Sequence, residues 1–316
     1  MIRKYKISVP KSTLNEIYKK VRNFPWSAAQ NMNGWEYGTN LNYLKNISKY
    51  WITKYNWKKF ENKINSFKNY KTKVEDINLH FIFEKSKNPN SKQLLLLHGW
   101  PGSITEFLDI IPRLAHPEKF GGKIEDGFDI IVPSLPGFGF SSQIKKALGP
   151  RKIGKILNKF MVKNLGYKNY FVQGGDWGAT IAGWIGLDSS KNCKGIHINC
   201  LPLRHPKGTK NTKEKKLEKK FNFDQIMQEG YRTQQATKPQ TLSYAMIDSP
   251  VGTAAWILEK FHGWSDLNKG GIEKTFSKDE LISNIMIYII TNSFNTAAWI
   301  YFGRRKEGGR SFPKNF

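Results

Sequence analysis

One carboxylate in this chain stands where a carboxylate can become a nucleophile. Asp176 lies in Phe171-Val172-Gln173-Gly174-Gly175-Asp176-Trp177-Gly178-Ala179-Thr180, a short apolar run that breaks at two glycines before helix-forming residues begin. The pattern small-x-acid-x-small fits a sharp strand-to-helix elbow, in which the positions two before and two after the acid must carry tiny side chains. Gly174 and Gly178 supply them, and Gly175 belongs to the same elbow. The helix would then begin beneath the acid, and its free N–H groups favour an anion there. A carboxylate needs no base in order to attack. It can displace a leaving group at an sp³ carbon and remain attached as an alkyl ester, whose carbonyl water then attacks. That chemistry points to epoxides or alkyl halides, whereas a serine in the same place would suit esters. Taken alone, the motif is also the form of an ordinary turn with a helix-capping Asp.

A second strand end strengthens the reading. Gln93-Leu94-Leu95-Leu96-Leu97-His98-Gly99-Trp100-Pro101-Gly102-Ser103 is an apolar strand that stops in a turn containing His98, Gly99 and Pro101. The two motifs fall in the order and strand context that an elbow enzyme requires. The backbone N–H of Trp177 and an N–H of the earlier turn, that of Trp100, can together form an oxyanion hole. An epoxide oxygen leaves as an alkoxide and needs proton donors, which tyrosine hydroxyls can supply. A halide would need weak donors such as indole N–H groups.

The elements that must hold these residues follow from the apolar patterning. Residues 1 to about 70 read as helical, with a capping box of Thr13 and Glu16 opening a helix through Val21. From Leu41 to Phe67, the residues Leu41, Leu44, Ile47, Trp51, Tyr55 and Phe60 mark one helical face. Strands are predicted over Ile77–Phe83, Leu94–Leu97, Phe128–Val132, Tyr170–Gln173 and Gly195–Asn199, with helices over Arg151–Leu165 and Ala179–Leu187 between the later ones. Alternation of this kind argues for a mostly parallel α/β sheet with its site at the carboxyl ends of the strands. After Pro202 the pattern turns helical, including Thr253–Phe261 and Lys278–Thr291, as expected of a cap over that edge.

Composition narrows the class. Aromatics make up 14% of the 316 residues, which is globular usage. No apolar run approaches the roughly 20 residues that cross a bilayer, and the first residues lack a signal peptide's apolar centre. A soluble, cytoplasmic chain is the expectation. The net charge of +26 comes from lysines spread along the whole length. The dense run Lys207–Lys220 reads as a solvated face, and no nucleic-acid motif accompanies it. Cys193 and Cys200 fit no metal spacing and read as two free thiols. No metal or other cofactor is called for, and the oligomeric state is left open.

The chain resembles the microsomal-type epoxide hydrolases, together with their bacterial and insect juvenile-hormone relatives. The likeness runs from about Tyr5 to Phe302. Beyond the two strand-end motifs it includes Pro133-Ser-Leu-Pro-Gly-Phe-Gly-Phe-Ser141, the helical extension with Asn56-Trp57, and the long segment Gly230–Asp266. The resemblance implies an α/β-hydrolase fold with a helical amino-terminal extension (1–72), the first part of the core (73–203), a helical cap (204–302) and the start of a return to the core (303–316). It also implies an epoxide and water as reactants, vicinal diols as products, and two cap tyrosines gripping the epoxide oxygen, which match Tyr231 and Tyr301. Two alternatives stay open: a haloalkane or haloacetate dehalogenase with the same aspartate, and a non-catalytic binder of lipophilic small molecules. The family pattern next calls for an acid and then a histidine. The chain ends at Phe316, all six histidines precede that region, and Glu307 comes too early to be the acid. The expectation is therefore a chain incomplete at its carboxyl end, with an unpaired sheet edge and no base for the hydrolytic half-reaction.

Overall fold

In the computed structural model, which describes residues 1–30, 32, 34–200, 209–268 and 270–308, seven strands form one sheet. They are β1 (Ile2–Lys4), β2 (Asn69–Val74), β3 (Ile77–Glu84), β4 (Lys92–Leu97), β5 (Phe128–Pro133), β6 (Tyr170–Gly174) and β7 (Cys193–Ile198), in the spatial order β1-β2-β3-β5-β4-β6-β7. The first three strands and the β3–β5 pair are antiparallel, and β5, β4, β6 and β7 run parallel. The register opposes Leu97 to Gly174, so the two strand ends bearing the motifs lie side by side.

Helices α1 (Lys11–Arg22), α2 (Leu41–Thr53) and α3 (Trp57–Asn65) precede the main sheet. Next come α4 (Ile111–Ala115), α5 (Pro150–Lys159) and α6 (Asp176–Asp188), with α5 packed on α6 where Gly154 meets Ile181 and Ile185. A helical layer then runs through α7 (Thr212–Gln228), α8 (Gly230–Thr237), α9 (Pro239–Asp248), α10 (Pro250–Gly263), α11 (Ile272–Thr275), α12 (Lys278–Ile290), α13 (Phe294–Ala297) and α14 (Trp299–Lys306). The amino-terminal helices serve this layer: α1 and α2 pack on α10, and α2 and α3 pack on α12. One continuous core joins Leu14, Ile47 and Trp51 to the sheet and to Ile257, Leu258 and Ile285.

Three local expectations need correction. The amino-terminal stretch is not all helical, because β1 and β2 flank its helices. Lys71 and Lys73 interrupt the apolar signal of β2, and its buried positions include the polar Asn69 and Thr72, so hydrophobic periodicity could not reveal it. Helix α1 begins at Lys11 after Pro10, with no side-chain cap, so Thr13 and Glu16 form no capping box. The stretch Leu41–Phe67 is two helices, since the Asn56 side chain accepts N–H bonds from Lys58 (2.9 Å) and Lys59 and starts a new one. Both cysteines are free thiols.

Among the described residues β7 is the outer strand at its side of the sheet. Nearby, a groove of about 700 Å³ opens over Leu94, Leu96, Phe128, Phe171 and Ile196. Lys210, Lys213, Lys215, Lys216 and Lys219 are exposed, as expected of a solvated face, while Lys207 and residues 309–316 fall outside the described residues. No helix among the described residues is long and apolar enough to cross a membrane.

Candidate active site

The elbow forms where β6 gives way to α6. Asp176 has φ 47°, a left-handed conformation that non-glycine residues adopt at a cost of about 1–3 kcal/mol and only where the surroundings enforce it. Gly178 is part of that enforcement, because a methyl group there would fall on the carbonyl oxygen of Leu97 and within 2.9 Å of that of His98. The Gly175 N–H donates to the Leu97 carbonyl (3.3 Å), which ties the elbow to the end of β4. Gly174 faces Gly178 across the turn, as the spacing required.

The turn after β4 meets the carboxylate directly. The Trp100 N–H donates to Asp176 Oδ1 at 2.8 Å, and the Trp177 N–H also bonds the carboxylate. Gly99 leaves room for it, since a methyl group at that position would lie 2.6 Å from Asp176 Cγ. The Trp100–Pro101 peptide bond is cis. Asp176 is open to solvent on one side and crowded by protein on the others. That crowding raises its pKa to about 6, against the pull of the Trp100 and Trp177 N–H groups and of Arg304. His98 is buried, and its Nε2 accepts the Leu135 N–H (3.2 Å) while Nδ1 donates to the Gly99 carbonyl (3.1 Å). Burial pushes its pKa down to about 4, so it is a neutral pin for the turn and has no nitrogen to spare.

Two helices of the upper layer, α8 and α14, pack on each other and bring Tyr231 and Tyr301 over the elbow. The Trp100 ring stacks on Tyr231 (5.2 Å between centroids, 9°) and meets Tyr301 edge-on (5.8 Å, 88°). Trp177 meets Tyr301 at 4.7 Å, and the two phenol rings are 5.6 Å apart. Burial raises both phenols above their usual range, and the Asp176 charge adds to the rise in each. Both therefore hold their protons at neutral pH. The residues singled out in the sequence thus converge on one aromatic cluster around Asp176.

Sequence reasoning missed the parts that brace this cluster. Asn284 on α12 donates from Nδ2 to the Pro101 carbonyl (2.7 Å) and accepts from Ser103 Oγ (2.8 Å), while the Tyr288 hydroxyl donates to the Gly102 carbonyl (2.7 Å). One face of α12 therefore clamps the turn that carries Trp100. Asn284→Ala would leave the Pro101 carbonyl and the Ser103 hydroxyl without this partner, and should cost about 1–3 kcal/mol in urea unfolding. An unchanged midpoint would remove α12 from this account. Glu106 was missed as well. Its pKa is raised to about 8 by its protein surroundings and by the Asp176 charge, while the Gly99 and Ser103 N–H groups bond it. At neutral pH Glu106 stays protonated beside an ionised Asp176, which removes like-charge repulsion from the turn. Arg304, one turn after Tyr301, lies 5.4 Å over the Trp177 ring and also favours the Asp176 anion. Glu307 is elsewhere, accepting the Arg151 and Lys152 N–H groups at the start of α5. Among the described residues no cluster of His, Cys, Asp and Glu could hold a metal ion.

A mixed sheet whose parallel strands carry an elbow at one strand end and an N–H turn at the next, with a helical layer above both, defines an α/β-hydrolase. Residues 92–267 match the family described as "alpha/beta hydrolase fold", and residues 2–107 match "Epoxide hydrolase N terminus". The chain is 38% identical to a putative epoxide hydrolase of Stigmatella aurantiaca over 97% of its own length and 71% of that protein's. It is 35% identical to epoxide hydrolase 1 of Oryctolagus cuniculus, covering 95% of this chain and 72% of that one. Among solved structures, the juvenile hormone epoxide hydrolase of Bombyx mori superposes with a TM-score of 0.86 at 30% identity, covering 96% of this chain and 77% of that one. The chain belongs to the epoxide hydrolase family.

Proposed function

We propose that this chain opens hydrophobic epoxides to vicinal diols, beginning with attack by Asp176. A carboxylate oxygen of Asp176 forms a bond to one epoxide carbon, and that carbon's bond to the ring oxygen breaks with its electron pair passing to oxygen. A proton from Tyr231 or Tyr301 neutralises the alkoxide, leaving a β-hydroxyalkyl ester on the enzyme. In the second step water adds to the ester carbonyl and the diol leaves with one water proton on its departing oxygen. The other water proton passes from the freed Asp176 carboxyl back to the phenolate, and the Trp100 and Trp177 N–H groups would hold the oxyanion formed in that step. The observation that carries the reading is the convergence of one carboxylate, two N–H donors and two protonated phenols on a single aromatic cluster. On this reading the helices from α7 to α14 act as a cap over the elbow.

Among the described residues the indole N–H of Trp100 has no hydrogen-bond partner, which supports a second reading, halide displacement from alkyl halides by the same carboxylate. The paired phenols favour the epoxide.

Rapid acid quenching after mixing with styrene oxide, followed by intact-mass and peptide analysis, tests the proposal. The expected result is a single epoxide-mass gain on the peptide containing Asp176, absent in Asp176→Asn. The rate should rise with pH through about 6, as the carboxylate ionises, and level off above. Labelling that survives Asp176→Asn, or halide release without any reaction with epoxides, would overturn it.

A further inference from the structure

Lysine is seldom buried, because its ammonium loses hydration that few protein sites replace. Lys260, on α10, is only 5% exposed. Its Nζ sits 4.7 Å from the centre of the Tyr231 ring and 5.5 Å from that of Trp264, and bonds Glu259 Oε2 at 2.6 Å. Trp264 meets Tyr231 edge-on at 5.1 Å, so two rings and one carboxylate enclose the ammonium. We infer that Lys260 is a positioning residue for the proposed ring opening: its charge, held over the Tyr231 ring, stabilises the negative charge that this phenol acquires as it gives its proton to the epoxide oxygen. The inference rests on the assignment of Asp176 and Tyr231 given above.

The effect is electrostatic. When the phenol donates its proton, charge appears on its oxygen and spreads into the ring. A cation over the ring face is attracted weakly by a neutral phenol and strongly by a phenolate. Such a contact therefore grows as the reaction proceeds, which is what lowers a barrier. The other charges around Tyr231 are divided in their effect. Asp176 and Glu229 oppose phenolate formation, and the favourable Arg232 is itself paired with Glu229. The competing explanation is a structural ion pair with Glu259 that stiffens α10 and has no bearing on the phenol.

The experiment measures the rate constant of ester formation at Asp176 by quenched-flow mass spectrometry with styrene oxide, in the Tyr231 and Tyr231→Phe backgrounds. Lys260→Met should slow the step about tenfold, and Lys260→Arg should restore it to within about threefold. In the Tyr231→Phe background, with no phenol left to ionise, Lys260→Met should change the rate less than about twofold. Equal slowing in both backgrounds, or none in either, would overturn the inference. If Lys260→Met unfolds, as circular dichroism would show, Lys260→Gln takes its place in the same cycle. Absence of any Asp176 ester in the parent chain would overturn the active-site assignment and this inference with it. An ester that forms at the same rate in Lys260→Met overturns this inference alone.

Discussion

Replacing Tyr231 and Tyr301 together by phenylalanine is expected to slow ester formation at Asp176 by about 10²–10⁴-fold, the usual worth of positioned proton donors. Each substitution removes one hydroxyl and keeps the ring, so the edge-on contacts of Tyr301 with Trp100 and Trp177 survive. The alkoxide that leaves an epoxide is strongly basic, and without a donor it must collect its proton from solvent. Both phenols are held above their usual pKa by burial and by the Asp176 charge, so neither is lost as a donor at neutral or mildly alkaline pH. Either single replacement should cost less than the pair, because the remaining hydroxyl still reaches the oxygen. The quenched mass measurement decides the matter. A double variant that labels at the parent rate would reduce both tyrosines to packing.

Gly178→Ala should be strongly destabilising, at about 4 kcal/mol or more in urea unfolding. Two effects compete. Alanine is the better helix former by about 1 kcal/mol, and Gly178 lies within α6. Against this, the new methyl would lie 2.6 Å from the Leu97 carbonyl carbon and 2.9 Å from the His98 oxygen. These are backbone atoms, not the far ends of flexible side chains, so β4 itself must move. It is paired with both β5 and β6 and cannot shift alone. Clash therefore outweighs propensity. Movement of β4 would also carry the Trp100 N–H away from Asp176, so reactivity should fall alongside stability. A midpoint equal to that of the parent would show the elbow to be looser than the structure has it.

Local signals revealed the elbow and its neighbour, because both arise from constraints within ten residues. Glycines at fixed offsets from one acid, and an apolar strand ending in His98-Gly99-Trp100, are legible without knowing what lies nearby. The five strands read from apolar runs are all present, with ends shifted by a residue or two. Strand β2 escaped because its buried side chains are partly polar. Tyr231 and Tyr301 carried no local signal and were found only through a family likeness. The clamp by Asn284 and Tyr288 could not be read at all, since its partners lie more than 180 residues away and nothing in LISNIMIYII marks two polar side chains as aimed at a distant turn. Lys260 is hidden for the opposite reason, as one basic residue among 51. Only coordinates distinguish a lysine over a phenol from one in water.

Trp100 joins both halves of the proposed chemistry in a single residue. Its main chain touches the attacking acid, and its indole touches both phenols. The indole is packed against both phenols, so a large shift of it bears on the turn that aims the amide. Substitutions that widen the chamber for bulkier guests by repacking around the indole should therefore also disturb the carboxylate's grip. Selectivity and speed are mechanically linked at this position, and variation in guest preference would be freer where the helical roof does not lean on Trp100.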